Sequence, residues 1–135
     1  MLTEKDYCDY ETCVALKELG YKGISRFFYA TKESPLRRYS HDQILTTRIA
    51  DAVGHTLAIS LYSAQKWLRG EKGIFVYIDV PWKTDDGLGW SYFCCNKPMT
   101  EEDKEVCFAS GGFYDSYEEA LLEGIKISVK ILKEK

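Results

Sequence analysis

The side chains best suited to chemistry in this sequence are five cysteines (Cys8, Cys13, Cys94, Cys95 and Cys107) and two histidines (His41 and His55). A thiol in hydrogen-bond contact with an imidazole would make a nucleophile. No cysteine stands in a Gly-flanked elbow or at an evident helix start, where its pKa would fall. Zinc would call for a CxxC pair or a CxxH-type knuckle, and neither occurs. Cys94 and Cys95 are adjacent, so a strand points them to opposite faces. Cys8 and Cys13 are five residues apart, which sets them on different sides of a helix. The odd count, the irregular spacing and the missing export signal predict five reduced thiols acting as small buried hydrophobes. There is no GxSxG, HExxH or phosphate-cradling glycine loop, and Asp85-Asp86 lies in a Lys-Thr-Asp-Asp-Gly run that has turn composition. The residues therefore predict no enzyme, no cofactor and no metal. The rival reading is a small cysteine-dependent enzyme with Cys94, Cys95 or Cys107 near His41 or His55.

Aromatic residues supply a different kind of site. They make up 14% of the chain. Phe75, Tyr77, Trp90 and Tyr92 fall on two consecutive strand-like runs, where they would form either a covered core layer or an open platform for a partner. These four are the candidate partner-binding residues. Abundant Tyr and Trp favour a protein partner or a homodimer, since aromatics are enriched in interface cores.

The elements that must position these groups are legible from period and caps. Ser116-Tyr117-Glu118-Glu119 matches a capping box. It opens an apolar face over 117–133, acidic early and basic late, as the helix dipole prefers. A second helix is predicted over 61–70, with Ser60 as cap and Gly70 and Gly73 at its end, and a third over 10–19, capped by Asp9 and closed by Gly20. Strands are predicted over 73–81, stopping at Pro81, over 90–95 after a turn at 83–89, and over 105–110, broken by Gly111-Gly112. Ile24 to Ala30 reads as a further strand with a hairpin partner at 36–40. The stretch 41–53 leans to a helix with Ser40 as cap, and 54–59 stays unassigned. The whole predicts a single α+β domain over 1–135, with a mainly antiparallel sheet and helices near 10–19, 61–70 and 117–133 packed on it.

Composition narrows the classes further. The 135 residues suffice for one core without a staple. A net charge of −3 supplies no global basic field for nucleic acid or anionic lipid. The α-β-β-β-α order from residue 60 onward is that of double-stranded-RNA-binding domains. Those usually carry lysines at the start of the last helix, where this chain has Glu118 and Glu119, which would repel phosphate. No apolar run approaches the roughly 20 residues that span a bilayer. The opening MLTEKDYCDYE lacks signal-peptide regions, so a cytoplasmic location and no membrane partner are expected.

Ala64-Gln65-Lys66-Trp67-Leu68-Arg69, followed by a β-rich run from Ile74, resembles the AQKWLRE…I.V segment of small uncharacterised proteins encoded by phages and mobile elements of gut bacteria. The run from Phe113 through Ser116-Tyr117-Glu118-Glu119-Ala120-Leu121 resembles their closing F.TYEEALE.GI signature, and Cys13 to Tyr21 is similar to their AKLLKELGF. The resemblance implies a genetic setting and no mechanism. Gly111 to Leu121 also resembles the GDT.EEAL turn into the helix of HicB-type antitoxins, whose compact domain runs β-β-β-α. The sequence departs from them at Cys95 to Met99, where the antitoxins carry a PDLPGC-like run. The expected function is a non-catalytic interaction module of a phage or mobile element. The alternative within binding proteins is a HicB-like antitoxin that binds a ribonuclease toxin.

Overall fold

The computed structural model describes residues 4–39, 44–84, 87–98 and 107–134, with the backbone alone at 80–84 and 87–88. The α+β class and the antiparallel pairing hold, although the strands divide among three sheets. The chain folds as two compact units, Met1–Ser60 and Leu61–Lys135.

In the first unit, a short 3-10 turn (Glu4–Asp6) precedes helix α1 (Tyr10–Glu18). The predicted cap is present: Thr12 N–H donates to the Asp9 carboxylate at 2.9 Å. The predicted strand over 24–30 is split at Arg26 into β1 (Ile24–Ser25) and β2 (Phe27–Tyr29). Strand β3 (Arg37–Arg38) is the expected hairpin partner of β2. The helix predicted over 41–53 is shorter. Its proposed cap, Ser40, and residues 41–43 lie outside the described residues. Leu45–Thr46 instead forms β4, paired with β1, and helix α2 spans Thr47–Ala52. Thr46 is the working cap, its hydroxyl accepting from Ile49 N–H at 3.2 Å. A β-branched residue that resists a helix interior is well suited to that extended position. The unassigned 54–59 contains β5 (Thr56–Leu57), which pairs with β2.

In the second unit, helix α3 (Leu61–Lys72) runs through Gly70 and stops at Gly73, whose φ is +67°. It buries Leu61, Ala64 and Leu68. Strands β6 (Phe75–Thr84), β7 (Gly87–Cys95) and β8 (Cys107–Tyr114) form an antiparallel meander, and helix α4 (Tyr117–Lys133) closes it. The α4 cap is the predicted box with one change of partner. Ser116 Oγ accepts from Glu119 N–H at 3.1 Å, while Glu119 reaches back to the N–H of Asp115 at 3.3 Å.

Two strand limits differ from expectation. Strand β6 does not stop at Pro81; it continues to Thr84, with a register shift between Asp79 and Trp82. A residue without an N–H is tolerated where the ladder is already interrupted. Strand β8 does not break at Gly111-Gly112 but passes through both. Gly112 has φ +139°, and a Cβ there would come within 2.6 Å of Ser91 Cα and of the Trp90 carbonyl oxygen. The glycines let β8 lie against β7.

Helix α4 packs on one side of the sheet against all three strands, and Gly124 lies close to β6 and β7. A Cβ on Gly124 would stand 2.7 Å from Val76 Cγ1 and 3.4 Å from Tyr92 Cβ. Ser128 Oγ spans the same contact, at 2.8 Å from the Gly124 carbonyl and 3.4 Å from Cys94 Sγ. Gln65 of α3 donates to the Val76 carbonyl at 2.8 Å, which ties that helix to the outer strand β6.

Substituting the two glycines of contrasting surroundings tests this account. Gly112→Ala should destabilise by about 2 kcal/mol or more, because it adds backbone strain to a clash with β7 backbone. Gly70→Ala, with open space around a helical backbone, should stabilise by up to about 1 kcal/mol. Urea unfolding midpoints of the two variants should therefore move in opposite directions.

Candidate functional site

The four aromatic candidates are placed two and two. Register sets Tyr77 opposite Phe93, Phe75 opposite Cys95 and Ile78 opposite Tyr92. Cross-strand partners share a face. Phe75 and Tyr77, with ring centroids 6.3 Å apart, therefore lie on the side that also holds Phe93. Tyr92 is buried at 9% exposure on the α4 side. Trp90 meets Tyr117, the first residue of α4, edge to face at 5.6 Å.

The cause of the division is the irregularity in β6. The hairpin starts with Thr84 opposite Gly87 and Trp82 opposite Gly89. Continued without interruption, that register would bring Tyr77 opposite Cys94 and would put all four aromatics on one face. The extra residue in β6 between Asp79 and Trp82 shifts the pairing by one and exchanges the faces. Alternation within each strand is visible in sequence; a bulge between strands is not.

The side of the sheet away from α4 therefore carries Phe75, Tyr77 and Phe93, all half-buried. Phe113 on β8 is 67% exposed and rests against Gly89, where a Cβ would meet its ring carbon at 2.7 Å. Asp79, Ser91, Phe93, Ser110 and Phe113 line a shallow depression of about 310 Å³ on this side. Aromatic spacing alone does not single out Phe113, since it follows the glycine pair expected to end the strand.

The thiols require a correction. Cys95 and Cys107 are joined by a disulfide, so the expectation of five free thiols fails. The two are direct partners in the β7–β8 ladder, with Cα atoms 4.4 Å apart. That spacing is typical of a closely facing antiparallel pair and lies within disulfide reach. Residues twelve apart in sequence meet only through the strand pairing, which spacing rules do not capture.

Cys8, Cys13 and Cys94 are free and buried. Burial pushes the Cys94 thiol up, and the Ser128 hydroxyl beside it offsets part of that. Cys8 and Cys13, assigned by spacing to different sides of a helix, come together because Cys8 precedes the α1 cap. Cys13 Sγ donates to the Cys8 carbonyl at 3.5 Å and accepts from Ile59 N–H at 3.3 Å. The contact with Cys13 and then burial hold the Cys8 thiol well above its ordinary range. Tyr29 donates to the same Cys8 carbonyl at 2.8 Å, and burial followed by the nearby cysteines raises its phenol strongly. A nucleophilic cysteine needs the opposite shift. His55 stacks on Phe28 at 4.6 Å between ring centres, with its Nδ1 buried and unpartnered. His41, the other candidate base, lies outside the described residues, as do Asp85 and Asp86. Among the described residues no cluster of three or more His, Cys, Asp or Glu could hold a metal ion.

No helix among the described residues is long and apolar enough to cross a membrane. No protein-family model, curated protein or solved structure matches the chain.

Two measurements follow from the thiols. Denatured, unreduced protein should expose three DTNB-reactive thiols, rising to five after reduction and removal of reductant; five without reduction would exclude the disulfide. The raised Cys8 and Tyr29 groups stay protonated in the folded chain at pH values where the unfolded chain already loses those protons. Their stabilising effect is complete below the ordinary cysteine value of 9.0 and is lost as pH rises through the folded values. Urea stability should thus fall steadily above about pH 9. Tyr29→Phe should lower stability near neutrality by about 1 kcal/mol and flatten part of the alkaline fall.

Proposed function

We propose that this chain is a non-catalytic interaction module of a phage or mobile element, working through the side of the β6–β7–β8 sheet that faces away from α4. The observation that carries this reading is the set of Phe75, Tyr77, Phe93 and Phe113 on one sheet face, the last of them 67% exposed. Contiguous aromatic surface of this kind is used for protein association more than for solvent contact. The upward-shifted, buried thiols favour the same reading, since they oppose cysteine catalysis. The partner is a foreign protein or a second copy of the chain. Nucleic acid is disfavoured by Glu118 and Glu119 at the start of α4. The setting is cytoplasmic, where a cross-strand disulfide is a redox-responsive bond more than a permanent staple.

A HicB-like antitoxin is the second reading, favoured by the β-β-β-α order of β6, β7, β8 and α4. It would pair the chain with a ribonuclease.

Affinity capture from cells that carry the gene, run beside light scattering, separates these readings. A stoichiometric protein, or a concentration-dependent dimer, should be lost when Tyr77→Ser and Phe113→Ser are combined, with affinity falling by about tenfold or more. A ribonuclease as that protein would select the antitoxin. Capture unaffected by the double variant would remove the sheet face from the proposal. Turnover of a thioester or peptide panel, with no partner recovered, would sink the module reading altogether.

A further inference from the structure

The unit Met1–Ser60 holds a larger concavity of about 1010 Å³, walled by the end of α1, residues 20–23, the β1–β4 pair and α2. Ile24 and Ile49 line it at 63% and 48% exposure, so its apolar surface is open to solvent. Four charged side chains line it as well. Lys17 is neutralised by Asp51 at 2.9 Å. Lys22 and Arg48 also line it and form no ion pair with a described residue. In a chain of net charge −3, this wall has two uncompensated cations, one near each exposed isoleucine in sequence.

We infer that this groove takes an acidic amphipathic helix of a partner protein, its apolar stripe on Ile24 and Ile49 and its carboxylates at Lys22 and Arg48. Charge complementarity identifies the sign of the partner. The geometry identifies its shape. Strands β1 and β4 are two residues long, too short an edge to template an added strand. A small amphiphile would be left largely uncovered, whereas small-ligand sites enclose roughly 70–90% of their ligand. A helix needs only one face covered, and it satisfies its own backbone. This surface lies in a different unit from the sheet face proposed above and is independent of it.

The test uses the full chain and a fluorescein-labelled, amidated helical peptide of about 14 residues, with Leu at i, i+3, i+4 and i+7 and Glu on the other face. A second peptide carries Lys in place of every Glu. Anisotropy should show saturable binding of the acidic peptide alone, weakening as salt is raised from about 50 mM. Lys22→Glu combined with Arg48→Glu should weaken it by about tenfold or more, and Ile49→Ser should weaken it independently. Lys66→Glu with Lys130→Glu, which makes the same charge change on α3 and α4 of the other unit, should leave binding unchanged; it controls for net charge. Absence of saturable binding, equal binding of the basic peptide, or equal loss in the control variant would overturn the inference. Laurate displacing the peptide with the same dependence on Lys22 and Arg48, or an Ile49-dependent dimer in place of peptide binding, would overturn the helix as occupant.

Discussion

A one-residue register step in β6, between Asp79 and Trp82, decides what the second unit becomes. Side chains in a strand alternate with a period of two, so a single inserted residue reverses every assignment beyond it. On one side of the step the pairing runs from Thr84 opposite Gly87; on the other it runs from Asp79 opposite Ser91. The shifted register places Val76, Cys94 and Tyr92 together under α4. It leaves Phe75, Tyr77 and Phe93 on the opposite side. Pro81 lies inside the interruption, where its missing N–H removes no ladder bond that the bulge had not already disturbed. The aromatic surface and the helix-bearing surface are two outcomes of this one local irregularity.

The helix-bearing side then depends on how closely α4 can approach. Gly124 supplies the absence of a side chain that lets the helix backbone near Val76 and Tyr92. Ser128, one turn further on, stays buried because its hydroxyl has partners in the Gly124 carbonyl and the Cys94 sulfur. A buried hydroxyl without partners would carry a desolvation penalty of about 1–3 kcal/mol. Gln65 does for the α3 contact what Ser128 does for α4, by giving a polar side chain a backbone carbonyl to bind. The AQKWLR segment thus places Ala64 and Leu68 in the core and Gln65 at the strand between them and solvent.

Sequence was most informative where the controlling interactions are local. Asp9, Ser116 and Glu119 act within a turn of their partners, so α1 and α4 begin where the caps require. The buried stripe of α3 follows from helical period in the same way. Local reasoning failed where a partner is distant in sequence. The Cys95–Cys107 bond depends on β7 meeting β8, and the setting of Cys13 on the N–H of Ile59, 46 residues away. The glycines at 111 and 112 look like a break in isolation; beside Ser91 and Tyr92 they are the residues a close strand needs. Thr46 illustrates the middle case: its β-branching argues against a helix interior, and its hydroxyl, held on an extended residue, starts the helix instead. For the site, Phe75 and Tyr77 were legible from strand alternation, but Phe93, Phe113 and the division of the four candidates over two faces were not.

The irregularities of the sheet are distributed unevenly: β6 has one extra residue and β8 has two, while the central β7 has none. Both outer strands are thereby bent out of the even spacing of N–H and C=O groups that another chain would need to extend the sheet sideways. Strand β8, whose eight residues include no charge and no proline, lacks those two protections. Its bulges are therefore a guard against fibrillar, edge-on polymerisation. They act at the margin alone, making it a poor template for growth while the broad face keeps its aromatic side chains.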